Sequence, residues 1–105
     1  MTAVAAVATL AAGLTAATGP DGDLDAQIAN AFQAEVRDYS ASVEACRSLV
    51  GSALPGWRLH VGFDATGLFP YASLSNNGQR VEASAPTLPL AMLRVAVAAW
   101  GQTTT

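Results

Sequence analysis

The stretch that decides the fold is residues 57–85, which read WRLHVGFDATGLFPYASLSNNGQRVEASA. Apolar residues stand at every second position from Trp57 to Phe63, and more polar residues lie between them. This alternation is typical of a β-strand with one buried and one wetter face. It places Phe63 on the buried face.

Two turn signals follow this strand. Asp64-Ala65-Thr66-Gly67 predicts a turn, and a weaker strand is expected over 69–75. Asn76-Asn77-Gly78 then predicts a hairpin, because a type I′ turn needs positive φ at both central residues. A third alternating strand is expected over 80–85. Since both connections are turns, the three strands should form an antiparallel meander.

Helical patterns flank the predicted sheet. A helix is predicted over 42–54 with Ser42 as its N-cap, and another over 88–100 with Thr87 as its N-cap. Gly101 is expected to end the second helix. A sheet with one apolar face needs a cover. The predicted fold class is therefore α+β, a three-stranded antiparallel meander flanked by α-helices.

The apolar N-terminal run, residues 1–18, has three interpretations. Apolar residues at Val4, Val7, Leu10 and Leu14 have the spacing of one helix face, which favours an amphipathic helix. A cleaved signal peptide and a frayed tail are the alternatives. A signal needs a basic n-region, which this run lacks, and the run is too short and alanine-rich for a membrane span.

A second N-terminal helix is predicted after Gly19-Pro20. Asp23 is expected to cap it and Asp25 to favour its dipole. Its apolar stripe includes Leu24 and Ile28. Together the two helices form a predicted N-terminal helical segment, residues 1–38, which we expect to act as an interaction element that the sheet domain does not need in order to fold.

The rest of the predicted organisation is a sandwich-like domain over 39–101 and a disordered tail over 102–105. The length of 105 residues allows one small domain overall.

Charge and residue counts exclude several function classes. Eight acidic and five basic residues give a net charge of −3, which argues against a nucleic-acid binder, because phosphate neutralisation needs clustered Lys and Arg. One Cys and one His exclude a disulfide scaffold and a zinc-finger-type site. Nucleic-acid binding stays open as a weaker alternative, and it predicts Arg58, Arg80 and Arg94 on one face.

Few residues could carry chemistry. His60 is the only candidate general base, and serines or Glu82 on neighbouring strands could lie near it. Cys46 falls on an apolar helix stripe, so a buried, inert thiol is expected. The alternating Asp21, Asp23 and Asp25 resemble the start of a calcium loop whose remaining ligands are missing. The sequence therefore predicts no catalytic residue, no metal and no cofactor.

Three stretches resemble the phage ABA sandwich domain family, small proteins of bacteriophages and prophages of alphaproteobacteria. They are ATGPD at 17–21 running into LDAQI at 24–28, YSASVEA at 39–45 followed by LV at 49–50 and GW at 56–57, and VEASAPT at 81–87 followed by LA at 90–91. The resemblance covers roughly residues 14–100. One departure is that the proline expected directly after Thr87 is displaced to Pro89.

The resemblance implies a sheet between helical layers, in an α/β/α sandwich, and a phage or prophage gene acting in the bacterial cytoplasm or on the virion. It implies no catalytic activity. We therefore expect a small non-enzymatic protein that contacts a protein partner or itself, with no nucleic acid and no membrane. A small enzyme or ligand-binding domain centred on His60 is the alternative. The candidate interaction surface comprises Trp57, His60, Phe69, Tyr71 and Trp100.

Overall fold

The computed structural model describes the backbone of residues 3–103 and the side chains of residues 8–102. The elements, in chain order, are α1 (Ala3–Ala16), α2 (Gly22–Phe32), a 3₁₀ turn (Tyr39–Ala41), α3 (Val43–Ala53), β1 (Arg58–Phe63), β2 (Pro70–Asn76), β3 (Gln79–Ser84) and α4 (Leu88–Thr103). The predicted α+β class and the order of helices and strands are confirmed.

The sheet is the predicted antiparallel meander, with β2 in the centre and β1 and β3 at the edges. Asn77 and Gly78 have φ values of 51° and 83°, as the predicted type I′ turn requires. The turn pairs Asn76 with Gln79. It thereby fixes which side chains of β3 share a face with those of β2.

α4 is the central helix of the molecule. It contacts β2 and β3, α1, α3 and the 3₁₀ turn. A helix that is apolar all round is a buried helix, and α4 approaches this pattern, with Arg94 as the one charged residue in its sequence. Its buried side chains are Leu90, Ala91, Met92, Leu93, Val95, Ala96, Val97 and Ala99.

The layers therefore run from the sheet to α4 and then to α1 and α3, with the helical layers on one face of the sheet. The resemblance implies helices on both faces. The physical reason for the difference is the other face itself, which carries mostly polar side chains and offers no second apolar surface for a helix to cover.

The C-terminal end of α4 also differs from expectation. The helix continues through Thr103, two residues beyond the predicted end at Gly101. A glycine inside a helix costs about 1 kcal/mol relative to alanine but does not break the hydrogen-bond ladder. The predicted disordered tail is thus helical at 102 and 103, and residues 104 and 105 lie outside the described residues.

The N-terminal run forms a helix, α1, as the spacing of its apolar residues predicts. Leu10 and Leu14 are buried against the rest of the core. The side chains of Val4 and Val7 lie outside the described residues. Leu24 and Ile28 of α2 are buried in the same core. The apolar stripes of this helical segment are therefore used inside the molecule and are not left for a partner. That the sheet domain folds without residues 1–38 stays a prediction.

Arg94 fastens α1 to the rest of the molecule. Its guanidinium donates to the carbonyl oxygens of Leu14 (3.0 Å), Thr15 (3.2 Å) and Ala17 (3.5 Å) at the end of α1, and to that of Ser84 (2.8 Å) on β3. The last carbonyls of a helix have no partner within the helix, and a cation there is favoured by the helix dipole. One side chain of α4 therefore caps α1 and ties it to the sheet.

Asp21 caps the start of α2, two residues before Asp23, the cap that the sequence predicts. The Asp21 carboxylate accepts from the Leu24 amide at 3.1 Å. Asp25 is buried, and its carboxylate accepts from the Ser40 amide at 2.7 Å. Asp25 thus joins α2 to the 3₁₀ turn. The predicted N-caps Ser42 and Thr87 are confirmed.

Candidate interaction surface

Three large apolar side chains are exposed where β1 connects to β2. Phe63 is 66% exposed, Leu68 74% and Phe69 50%. We call these three residues the hairpin tip. Scattered single apolar residues are ordinary at a protein surface, whereas a group of them marks a contact surface. The hairpin tip holds three of the four large apolar side chains that are exposed among the described residues.

Asp64 holds the chain of the hairpin tip in a defined turn. Its amide donates to the Phe69 carbonyl at 2.9 Å, and its carbonyl accepts from the Gly67 amide at 2.9 Å. Its carboxylate accepts from the hydroxyl of Thr66 at 2.6 Å and from the Thr66 amide at 3.1 Å. The Thr66 hydroxyl in turn accepts from the Leu68 amide at 3.3 Å. The apolar side chains therefore project from an organised backbone.

The pKa of Asp64 reports the same arrangement. The hydrogen bond from the Thr66 hydroxyl, with backbone amides adding to it, lowers the pKa of this carboxyl below its usual value. Hydrogen bonds to the charged form have this effect. Gly67 has a φ of 74°, a conformation that glycine adopts without the steric cost other residues incur. The turn therefore depends on the hydrogen bonds of the Asp64 carboxylate and on the positive φ of Gly67.

Phe63 is a corrected prediction. Alternation places it on the buried face with Leu59 and Val61, and those two residues do pack against the core. Phe63 does not, because β1 is an edge strand and α4 lies mainly over β2 and β3. The final residue of β1 therefore extends past the helical cover.

The structure separates the five residues of the predicted interaction surface. Trp57 and Trp100 are half-buried against the core, and Trp100 lies against Phe32 with ring centroids 4.4 Å apart. Phe69 belongs to the hairpin tip. His60 and Tyr71 lie on the uncovered face of the sheet. The five do not form one surface.

That uncovered face, the open face, is a grid of three rows across the strands. The side chains of one row are those of Arg58, Ser75 and Arg80, those of the next are His60, Ser73 and Glu82, and the last is made by Gly62, Tyr71 and Ser84. A Cβ added at Gly62 would meet the Tyr71 ring at 3.0 Å. The Tyr71 ring therefore lies over Gly62.

A depression of about 300 Å³ lies over the middle of the open face, lined by His60, Tyr71, Ser73, Ser75 and Arg80. His60, Ser73 and Glu82 are neighbours in one row, but the serine stands between the histidine and the acid. A Ser-His-acid relay needs the histidine in the middle. Glu82 instead pairs with Arg80 at 2.7 Å, and within the described residues no side-chain hydrogen bond joins His60 to Ser73.

The arginines do not share one face. Arg58 and Arg80 both lie on the open face, whereas Arg94 is held by four carbonyl oxygens on the helical side. The expectation of three arginines on one face is therefore wrong. A nucleic-acid backbone on the open face would meet two arginines, the acidic side chain of Glu82 and little further positive charge.

Cys46 is the predicted buried thiol. Its Sγ lies 3.0 Å from the carbonyl oxygen of Tyr39. Burial, with the nearby carboxylates of Asp25 and Asp38 adding to its effect, raises the pKa of the thiol to about 12. Since the thiolate is the reactive form, this cysteine is unsuited to act as a nucleophile at neutral pH.

Two further features are absent from the part of the chain that the structure describes. No group of three His, Cys, Asp or Glu side chains among the described residues could hold a metal ion. None of the helices, over the residues described, has the length and apolar character needed to cross a membrane.

Comparison with known proteins adds no relative. No family model matches the sequence, and neither the curated proteins nor the solved structures yield a match. The resemblance to the phage family accordingly stays a prediction, and functional inference rests on the surface just described.

Sequence reasoning missed Leu68. It falls between the predicted turn and the predicted second strand, so no periodicity applies to it. The available signal was its position directly after Gly67, since two successive apolar residues at a turn have no strand face or helix face to bury them. Recognising that signal also requires knowing that no other element covers the turn.

Proposed function

We propose that this chain is a small non-enzymatic protein of a bacteriophage or prophage that acts by contact with another protein, in the bacterial cytoplasm or on the virion. The phage setting is supported by the resemblance of the three sequence stretches. The mode of action is supported by the hairpin tip, which is the observation that carries the proposal.

The hairpin tip has two properties that favour protein contact. Its side chains are two phenylalanines and a leucine, and large aromatic anchors contribute strongly to binding energy at protein interfaces. Its backbone is already ordered by Asp64 and Thr66. An ordered loop loses little conformational entropy on binding, so more of the contact energy contributes to affinity.

The absence of catalysis is proposed on the geometry of the open face. Among the described residues the His60 ring has no acid partner, Glu82 is paired with Arg80, and the Ser73 hydroxyl is not hydrogen-bonded to the His60 ring. These relationships differ from those of a general base acting on a nucleophile.

The test is a tagged pull-down from phage-induced host cells, read by quantitative mass spectrometry and repeated at raised salt. The bait is compared with the double variant Leu68→Ser/Phe69→Ser and with Val36→Ser. Val36 is 70% exposed and belongs to the segment between α2 and the 3₁₀ turn, so it controls for lost surface hydrophobicity. We expect a partner that the double variant loses and the control retains at raised salt.

Equal capture by all three baits would contradict the proposal. Capture of capsid or tail proteins would indicate a virion role, and capture of one host protein would indicate a modulator of the host.

Ligand binding at the depression over His60 is the second candidate function. The observation that favours it is the convergence of His60, Arg80 and three hydroxyl side chains around a volume of about 300 Å³. Because the chain has one histidine, its ring resonances in NMR spectra are assigned without ambiguity. Their movement on titration with small anions, lost in Arg80→Ala, would support this candidate, and unmoved resonances would eliminate it.

A further inference from the structure

The outer side of β1 has backbone groups with no partner. The hydrogen bond from the Asp64 amide to the Phe69 carbonyl fixes the alternation along β1. It directs the N–H and C=O groups of Gly62 and His60 toward β2 and those of Leu59, Val61 and Phe63 away from the sheet. No hydrogen bond described for the chain reaches these outward groups.

The opposite edge is protected. β3 directs the backbone groups of Arg80, Glu82 and Ser84 outward, and the Ser84 carbonyl already accepts from Arg94 at 2.8 Å. The charged pair of Arg80 and Glu82 stands along the same edge. Charged side chains and a covering side chain are common ways to prevent pairing at a sheet edge. β1 has neither a proline nor a covering side chain.

β1 is self-complementary in one antiparallel register. When two copies pair about a two-fold axis at Val61, Phe63 of one copy lies opposite Leu59 of the other. The same register places Arg58 opposite the second copy's Asp64, and these are opposite charges on the open face. Cross-strand pairs of opposite charge stabilise a sheet, and like charges destabilise it.

Neighbouring registers lack these features. With the axis moved to His60, the two histidines face each other and Arg58 lies opposite Gly62. With the axis moved to Gly62, Arg58 lies opposite Thr66 in the second copy's turn and has no acidic partner. The Val61 register alone both covers Phe63 and pairs Arg58 with Asp64.

We propose that β1 pairs with β1 of a second copy of this chain in the Val61 register, joining two three-stranded sheets into one of six strands. The inference deepens the proposed function by naming a second copy of the chain as one partner. It rests on that proposal because both treat the exposed Phe63 as a contact residue. Leu68 and Phe69 lie outside the paired strands.

Sedimentation equilibrium of the full chain over a wide concentration range tests the inference. We expect the mass to rise from 10.7 kDa toward twice that value. Arg58→Glu should weaken the association about tenfold or more, because each dimer then holds two like-charged pairs. Arg47→Glu makes the same charge change on the exposed face of α3 and should leave the association unchanged.

Mixing gives the sharper readout. Arg58→Glu and Asp64→Arg each place like charges opposite one another in their own dimers. In a dimer made of one copy of each, both pairs are again opposite charges. We expect each variant alone to stay monomeric at concentrations where their equimolar mixture forms dimers. Circular dichroism checks that each variant is folded.

A wild-type chain that stays at 10.7 kDa at all concentrations would overturn the inference. Association that Arg58→Glu does not weaken would overturn it as well. If Asp64→Arg alters the turn, Arg58→Glu with its control still decides. Neither negative result contradicts the proposed function. That function is tested separately, by the loss of a captured partner in Leu68→Ser/Phe69→Ser.

Discussion

α4 and β1 differ in how much of each element the rest of the molecule covers. α4 is surrounded by the sheet, α1 and α3, and eight of its side chains are buried. β1 has one neighbouring strand, one uncovered edge and a final phenylalanine that is two-thirds exposed. The comparison separates what holds the molecule together from what is available to a partner. Substitutions in the helical layers should therefore change stability, and substitutions around β1 should change association.

Leu14→Ala should have the largest effect. Leu14 is fully buried, and removing a buried leucine side chain costs about 3 kcal/mol through lost burial and the cavity left behind. Urea unfolding measures the change. Leu68→Ala is the matched control, because the same atoms are removed from a side chain that is 74% exposed. The control should stay within about 0.5 kcal/mol of wild type. Similar losses for both variants would mean that α1 does not belong to the core.

Arg94→Ala should destabilise the chain by about 2 kcal/mol. The substitution removes four hydrogen bonds from a charged donor to carbonyl oxygens of α1 and β3. Hydrogen exchange should show that the amides of α1 lose more protection than those of β2. Arg58→Ala removes an exposed arginine from β1 and serves as the control. Uniform loss of protection across the chain would show that Arg94 does not specifically hold α1.

Asp25→Ala should cost about 1.5 kcal/mol. The Ser40 amide donates to the buried Asp25 carboxylate at 2.7 Å, and the variant leaves that donor unpaired. Asp23→Ala changes an exposed acid two residues away and should have little effect. Thermal unfolding of the two variants compares them directly, and equal melting temperatures would contradict the tie between α2 and the 3₁₀ turn.

The smallest effect is an alkaline loss of stability. The ordinary thiol pKa is 9.0 and that of folded Cys46 is about 12, so between these values the folded chain keeps a proton that the unfolded chain releases. This stability is complete below pH 9 and is lost as the pH rises toward 12. The loss amounts to about 1 kcal/mol at pH 10. Burial raises the pKa of Tyr39 in the same direction.

The chain suits this measurement because it has no lysine, whose titration would overlap. Urea unfolding at pH 8 and pH 10 should show a loss that is about 1 kcal/mol smaller in Cys46→Ala than in wild type. An identical pH dependence in the two chains would contradict the burial of the thiol. Below pH 9 the thiol should also resist aromatic disulfide reagents until the chain is unfolded.

Local physics accounts for the features that the sequence alone determined. Alternation from Trp57, the type I′ turn at Asn77-Gly78 and the caps Ser42 and Thr87 each depend on neighbours within a few residues. Such signals are complete in the sequence. They identified the class, the meander and the bounds of most elements, together with the burial of Cys46.

Only the tertiary structure decided which faces are covered. Phe63 follows the alternation of β1 but lies beyond the reach of α4, and Leu68 has no periodicity to interpret. Arg94 shows no sign in the sequence that it serves the end of a helix some 80 residues earlier. Burial and capping of this kind depend on which distant elements meet. The sequence therefore determined the elements of this protein, and packing between them decided which surface is left for a partner.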